Sequence, residues 1–174
     1  MGRLEFSTLP VPAFTEHTVS IPAGVVTFGV EYRHLDEATI LAFYGPDSRA
    51  KFGNKMPAGM TAVVEEDGLS LHVFSAATGD ELLRFDCFVE AAHWHLLSVP
   101  DSRNVVIEHD AKAEGPLVEW ALASMRADLP ALLREAGADA IADALDDNLV
   151  ASALDTVTQT ARYVAAAGRP VRVD

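Results

Sequence analysis

Hydrophobic positions recur with two periods along this chain: two residues before Asp110, three to four after it. A period of two is that of a strand with one buried face, and a period near 3.6 is that of an amphipathic helix. Val25 to Tyr32 (VVTFGVEY) predicts a strand that Gly29 weakens or bulges. Leu35 to Tyr44 fits a short helix or a second strand, because periodicity does not separate the two over so short a run. Thr61 to Val64 and Leu69 to Phe74 predict a hairpin closed by Glu66-Asp67-Gly68, with Asp-Gly as the turn signal. A turn over Ala77 to Asp80 leads to a second hairpin within Glu81 to Ser98. Pro100-Asp101-Ser102 closes it, and Asn104 to His109 adds a further strand.

Beyond Asp110 the expectation is helical. Pro116 suits a first helical position, and Val118, Leu122, Met125 and Leu129 form a stripe. Pro130 is expected to kink or restart that helix, and Gly137 to end it. Asp139 is read as the cap of a short helix through Leu145, and Asn148 as the cap of a last one. In that last helix Val150, Leu154, Val157, Ala161 and Val164 make a stripe up to Gly168. The fold class expected is therefore α+β: an antiparallel β-meander sheet packed by C-terminal amphipathic helices. It forms one domain over 1–174, β-rich over 18–110 and helical over 115–168.

The second hairpin carries the local chemistry. Phe85, Cys87, Trp94 and Leu96 fall on one face, and Arg84, Asp86, His93 and His95 on the other. A four-residue turn over 89–92 sets Phe88 opposite His93 and Asp86 opposite His95. A one-residue slip would mix the two faces. Two imidazoles and a carboxylate suit a divalent metal, either in an iron facial triad or in a hydrolytic zinc site. Asp86, His93 and His95 are the candidate metal ligands. Without a metal, Asp86 orients His95 as a general base, and these two are the candidate catalytic pair. The plainer alternative is a solvated sheet face with an Asp–His cross-strand pair. His72 has the parity to join this face beside Arg84. His109 is read as a solvated strand terminus, and His17 and His34 have no readable partner.

Composition narrows the function classes. At 174 residues and 49% hydrophobic, the chain is long and apolar enough for a real core. A net charge of −13 argues against nucleic-acid and anionic-membrane binding, which need clustered Lys and Arg. Within it Gly45 to Gly59 reads as a basic loop. Arg49, Lys51 and Lys55 there, with Arg84, are the candidate grips for an anionic substrate. Cys87 is alone, which excludes an internal disulfide and fits a reducing compartment, and its place beside Trp94 makes it a core cysteine. The first residues lack the apolar core of a signal peptide, and no apolar run is long enough to span a bilayer, so a cytoplasmic location is expected. Phosphate-loop, dinucleotide-binding, C-x-x-C, H-E-x-x-H and G-x-S-x-G motifs are absent.

The run LLRFDCF, then H-W-H, a Pro-containing turn and EGPLVEWAL resembles small uncharacterised bacterial proteins with an FDCF…H-aromatic-H core. That resemblance implies no activity. Two readings follow. One is a non-catalytic accessory or binding module, homo-oligomeric or held by a protein partner. The other is a small metal-dependent or acid–base enzyme acting through Asp86, His93 and His95 on an anionic substrate. They differ in geometry: a module leaves these side chains facing open solvent, whereas an enzyme gathers them in a secluded site.

Overall fold

A computed structural model of the chain describes residues 2–46, 65–89 and 91–173. Seven strands form one antiparallel sheet: β1 (Arg3–Phe6), β2 (Val19–Ala23), β3 (Val26–Leu35), β4 (Glu66–Ser75), β5 (Glu81–Phe88), β6 (His93–Ser98) and β7 (Arg103–Glu108). Their spatial order is β1-β7-β6-β5-β4-β3-β2, so β2 to β7 meander and β1 closes the edge beside β7. The alternation pattern did not predict β1 or β2. Both are short edge strands, and an edge tolerates Pro22, which a central strand does not.

The helices are α1 (Glu37–Tyr44), α2 (Ala111–Glu114), α3 (Leu117–Glu135), α4 (Asp139–Asp143) and α5 (Asp147–Ala167). The expected α+β architecture is present. Alpha5 packs on β2, β3 and β4, and α3 packs on β5. Val150, Leu154, Val157, Ala161 and Val164 are all buried, as their spacing predicts, and Gly168 ends the helix in the left-handed conformation. In α3 the buried stripe is Leu117, Ala121, Met125, Leu129 and Leu133. Val118 and Leu122 of the expected stripe lie one position round, only partly buried.

Several local expectations are corrected. Glu66-Asp67-Gly68 is not a turn but the start of β4, paired with Leu35, His34 and Arg33. An Asp-Gly pair turns a hairpin only when its flanking strands pair with each other, and here β4 pairs with β3. The Thr61–Val64 strand lies outside the described residues. Gly29 is not bulged, since β3 and β4 keep one register throughout. Its lack of a side chain is required by packing, because a Cβ there would sit 2.8 Å from Phe74 and 2.9 Å from Thr18. Asp36 caps α1 through Thr39, which settles that segment as helix. Pro116 is the N-cap of α3 rather than its first residue. Asp128 leaves helical geometry two residues before Pro130 and recaps the helix at Ala131 N. Asp146, not Asn148, caps α5, and Asp139 is the first residue of α4 with Ala138 as cap.

The face of the sheet turned away from α3 and α5 is buried as well, under residues 7–18, a strap running from β1 to β2. A β-bulge decides what lies beneath it. Val73 pairs with Leu83 but Phe74 pairs with Glu81, so Leu82 is the extra residue. The bulge turns Glu81 onto the same face as Arg84, three residues on, while Leu82 and Leu83 both stay in the core. Glu81 receives Arg84 Nε and Nη2 at 2.8 and 2.5 Å, and His72 Nδ1 at 2.5 Å. His72 Nε2 lies 3.4 Å from Glu31, which binds Arg33 at 2.7 Å. Strap carbonyls complete the layer: Val11 O accepts from Arg84 Nη1 and Arg33 Nη2, and Pro12 O from Arg33 Nη1. Glu31 Oε2 in turn accepts from Phe14 N and Thr18 Oγ1.

Burial alone would neutralise these groups, but their pairing outweighs it. The carboxyls of Glu31 and Glu81 are held below the ordinary range by His72 and the arginines. His72 is held above its ordinary value by Glu81 and Glu31. Removing one partner strands a buried charge. Arg84→Met is expected to cost about 3–5 kcal/mol in urea unfolding, and Glu81→Leu/Arg84→Met markedly less. The raised His72 value adds stability in full below its unfolded value of about 6.5, and that stability is lost as pH rises through the folded value. Unfolding free energy should therefore decline above about pH 6.5 in the wild type. His72→Gln, measured over the same range, should lack that decline.

Candidate functional site

The hairpin register differs from expectation by two residues. Asp86 pairs with His93, Arg84 with His95, and Phe85 with Trp94. A two-residue shift leaves every side chain on its own face, so alternation could not detect it. The paired positions Asp86 and His93 stand further apart in sequence than a four-residue turn allows, while Cys87 and Phe88 pair on the other side with Leu69 and Gly68 of β4. Two rows of side chains now cross the strap-covered face. One runs Glu31, Ser70, Asp86, His93, Glu108, and the other Gly29, His72, Arg84, His95, Val106. His72 thus stands directly beside Arg84, as its parity suggested.

Asp86, His93 and His95 converge, with one ligand atom from each lying within 4.8 Å of the others. Asp86 Oδ2 is 3.3 Å from His95 Nε2 and 3.5 Å from His93 Nε2. A zinc ion with bonds near 2.1 Å separates tetrahedral ligands by about 3.4 Å, whereas octahedral neighbours at that bond length stand about 3.0 Å apart. Asp86 and His95 are 2% and 4% exposed, while the His93 side chain retains 21% of its surface. The solvated-face expectation fails for the first two.

Each group is oriented from behind. Ser70 Oγ donates to Asp86 Oδ1 at 2.5 Å, leaving Oδ2 turned to the histidines. His93 Nδ1 donates to the Ala91 carbonyl at 2.6 Å, because a carbonyl only accepts. Asn104 Nδ2 donates to Thr8 O, so Asn104 Oδ1 faces His95 and must accept from its Nδ1 at 2.8 Å. In the neutral ring, which burial favours, His95 Nε2 then carries the lone pair. It is buried without a hydrogen-bond partner and faces a carboxylate oxygen that also carries lone pairs. Burial pushes the His95 imidazole below its ordinary value despite Asp86. The Asp86 carboxyl is held well below the carboxylate range, because His95, Arg84 and His93 outweigh its burial. A neutral imidazole and an ionised carboxylate are the forms in which such side chains ligate a metal.

Other expectations are corrected here. Asn104, not Asp86, orients His95, and a 4%-exposed imidazole is poorly placed as a general base for an outside substrate. Arg84 is 1% exposed and directs its guanidinium to Glu81 and Val11 O, inside the buried layer rather than towards a substrate. Arg49, Lys51 and Lys55 lie outside the described residues. His109 is not solvated: its side chain is buried against Trp120, with Nε2 donating to Gly115 O at 2.7 Å. Cys87, by contrast, packs against the core as expected, half-buried, and burial, with Asp86 nearby, pushes its thiol up, away from nucleophilic use. A cleft of about 560 Å³ lies on the same sheet face, past the far end of β6. Leu9, Pro10, Phe74, Glu81, Leu97 and Val99 line it, and the Asp86 cluster does not.

Ser70 and Asn104 are the supporting residues that sequence reading missed. Ser70 shares parity with His72 in the Ser-Leu-His alternation, which was a usable signal. Asn104 had none, since its role depends on the strap reaching it. Among the described residues, no helix is long and apolar enough to cross a membrane. No curated protein and no solved structure matches the chain at a significant level. A family model described as a domain of unknown function (DUF7700) matches residues 20–161, a stretch that contains Ser70, all three converging side chains and Asn104, and the chain belongs to that family.

Proposed function

We propose that this protein is a small metalloprotein that binds one divalent transition metal, zinc foremost, through Asp86 Oδ2, His93 Nε2 and His95 Nε2. The observation that carries this reading is the buried, unpartnered His95 Nε2 aimed at a carboxylate, with hydrogen bonds behind all three groups. Two facing lone pairs repel unless a cation lies between them, and orienting partners of this kind are what ligating side chains require. The 3.3 and 3.5 Å separations bring both imidazoles within reach of a metal held on Asp86 Oδ2.

Three protein ligands would leave a divalent metal open to a further ligand, and of the three side chains only His93 keeps appreciable exposure. A zinc ion held by Asp86, His93 and His95 would supply Lewis-acid chemistry, lowering the pKa of a water and polarising a substrate oxygen. One carboxylate balances half of the metal's charge, so an anionic substrate group suits the remainder. The metal-dependent enzyme is accordingly preferred to the accessory module, which expects the cluster to face open solvent.

Elemental analysis of protein purified without tag or chelator should find about one equivalent of zinc. His93→Ala and His95→Ala should each lose it with their circular dichroism unchanged. Metal-free wild type that also fails to take up added zinc would overturn the assignment, as would unchanged metal content in both variants.

A further inference from the structure

The strap over the charged face and the Asp86 cluster meet at one side chain. Asn104 is 4% exposed, donating through Nδ2 to Thr8 O at 3.2 Å and accepting through Oδ1 from His95 Nδ1 at 2.8 Å. A primary amide has two ends of opposite hydrogen-bonding sense, so the orientation of one end dictates the other. We infer that Asn104 couples docking of the strap to metal occupancy by selecting the tautomer of His95, an inference that rests on the metal reading above.

With the strap seated, Thr8 O demands the Nδ2 donor and Oδ1 must face His95. The imidazole then keeps its proton on Nδ1 and presents a bare Nε2 to the metal. With the strap lifted, Asn104 is free to turn its amide over and offer Nδ2 to Nδ1. That favours the tautomer protonated on Nε2, which cannot ligate. The coupling runs both ways, because a factor by which the strap strengthens metal binding is the factor by which metal strengthens strap docking. Asn104 is a positioning residue here and touches neither metal nor substrate.

Other contacts of the strap do not report on the metal. Val11 and Pro12 carbonyls seat on Arg84 and Arg33, Tyr44 Oη donates to Leu9 O, and Phe14 N donates to Glu31. These hold the strap in the absence of metal, so occupancy shifts an existing equilibrium rather than creating the docked state.

The test combines zinc titration with proteinase K cleavage of the intact chain, mapped by mass between Ser7 and Phe14. In the wild type, saturating zinc should slow cleavage in this segment by about 10–100-fold, the range found when support of a ligating histidine is removed. Asn104→Asp keeps an acceptor for His95 Nδ1–H but loses the donor to Thr8 O. It should bind zinc at least as tightly as wild type, with cleavage no longer responding to zinc. Asn104→Leu loses both functions and should bind zinc about 10–100-fold more weakly. Ring ¹⁵N shifts should place the His95 proton on Nδ1 in wild type and Asn104→Asp, but not in Asn104→Leu. Zinc binding with zinc-independent cleavage in the wild type would overturn this inference and spare the metal site, as would zinc protection persisting in Asn104→Asp. Failure of the wild type to bind zinc at all would overturn both.

Discussion

The extra residue at Leu82 is the constraint on which the rest of the charged face depends. Without that bulge Glu81 would project into the core, and Arg84 and His72 would face each other as two buried cations. With it, one carboxylate lies between them, and the pair extends through Glu31 to Arg33. Three carboxylates, Glu31, Glu81 and Asp86, then meet Arg33, Arg84 and His72, whose hold on a proton Glu81 and Glu31 strengthen. Buried charge persists on such terms, since each ion loses several kcal/mol of hydration that only close partners restore.

The strap follows from the same requirement. Each guanidinium carries five N–H groups in a fixed fork, more than the neighbouring carboxylates accept, and main-chain carbonyls of Val11 and Pro12 take part of the remainder. Irregular backbone suits this use because its carbonyls are not committed to a sheet ladder. A charged layer therefore needs a cover with free carbonyls, and a cover with free carbonyls is held by the charged layer. Asn104 extends that exchange to the histidine cluster, where the currency of the contact changes from charge to hydrogen-bond sense.

The cluster itself sits where charge compensation is least complete. Glu81 and Arg84 close on each other, whereas Asp86 has Ser70 on one oxygen and two imidazole nitrogens near the other. The aliphatic and aromatic face opposite is simpler: Phe85 and Trp94 stack on each other and meet Trp120 of α3, and the α5 stripe closes over β3. That division gives the sheet a hydrophobic side that supplies stability and a polar side that supplies chemistry.

By itself the sequence determined whatever depends on period and on residue type. The two-residue alternation of LLRFDCF and HWHLL assigned Asp86, His93 and His95 to one face and Phe85, Trp94 and Leu96 to the other. The 3.6-residue stripe of α5 was legible residue by residue, because each position buries against the sheet independently of its neighbours' identity. Tertiary structure decided what depends on alignment between segments. A two-residue shift of the hairpin preserves every face and so leaves no trace in the pattern. The bulge at Leu82 reverses one side chain without changing composition. The orientation of His95 by Asn104 exists only because residues 7–18 return across the face, a contact between positions almost a hundred residues apart. Alternation records which side a residue takes; only the assembled sheet and its strap determine what it meets there.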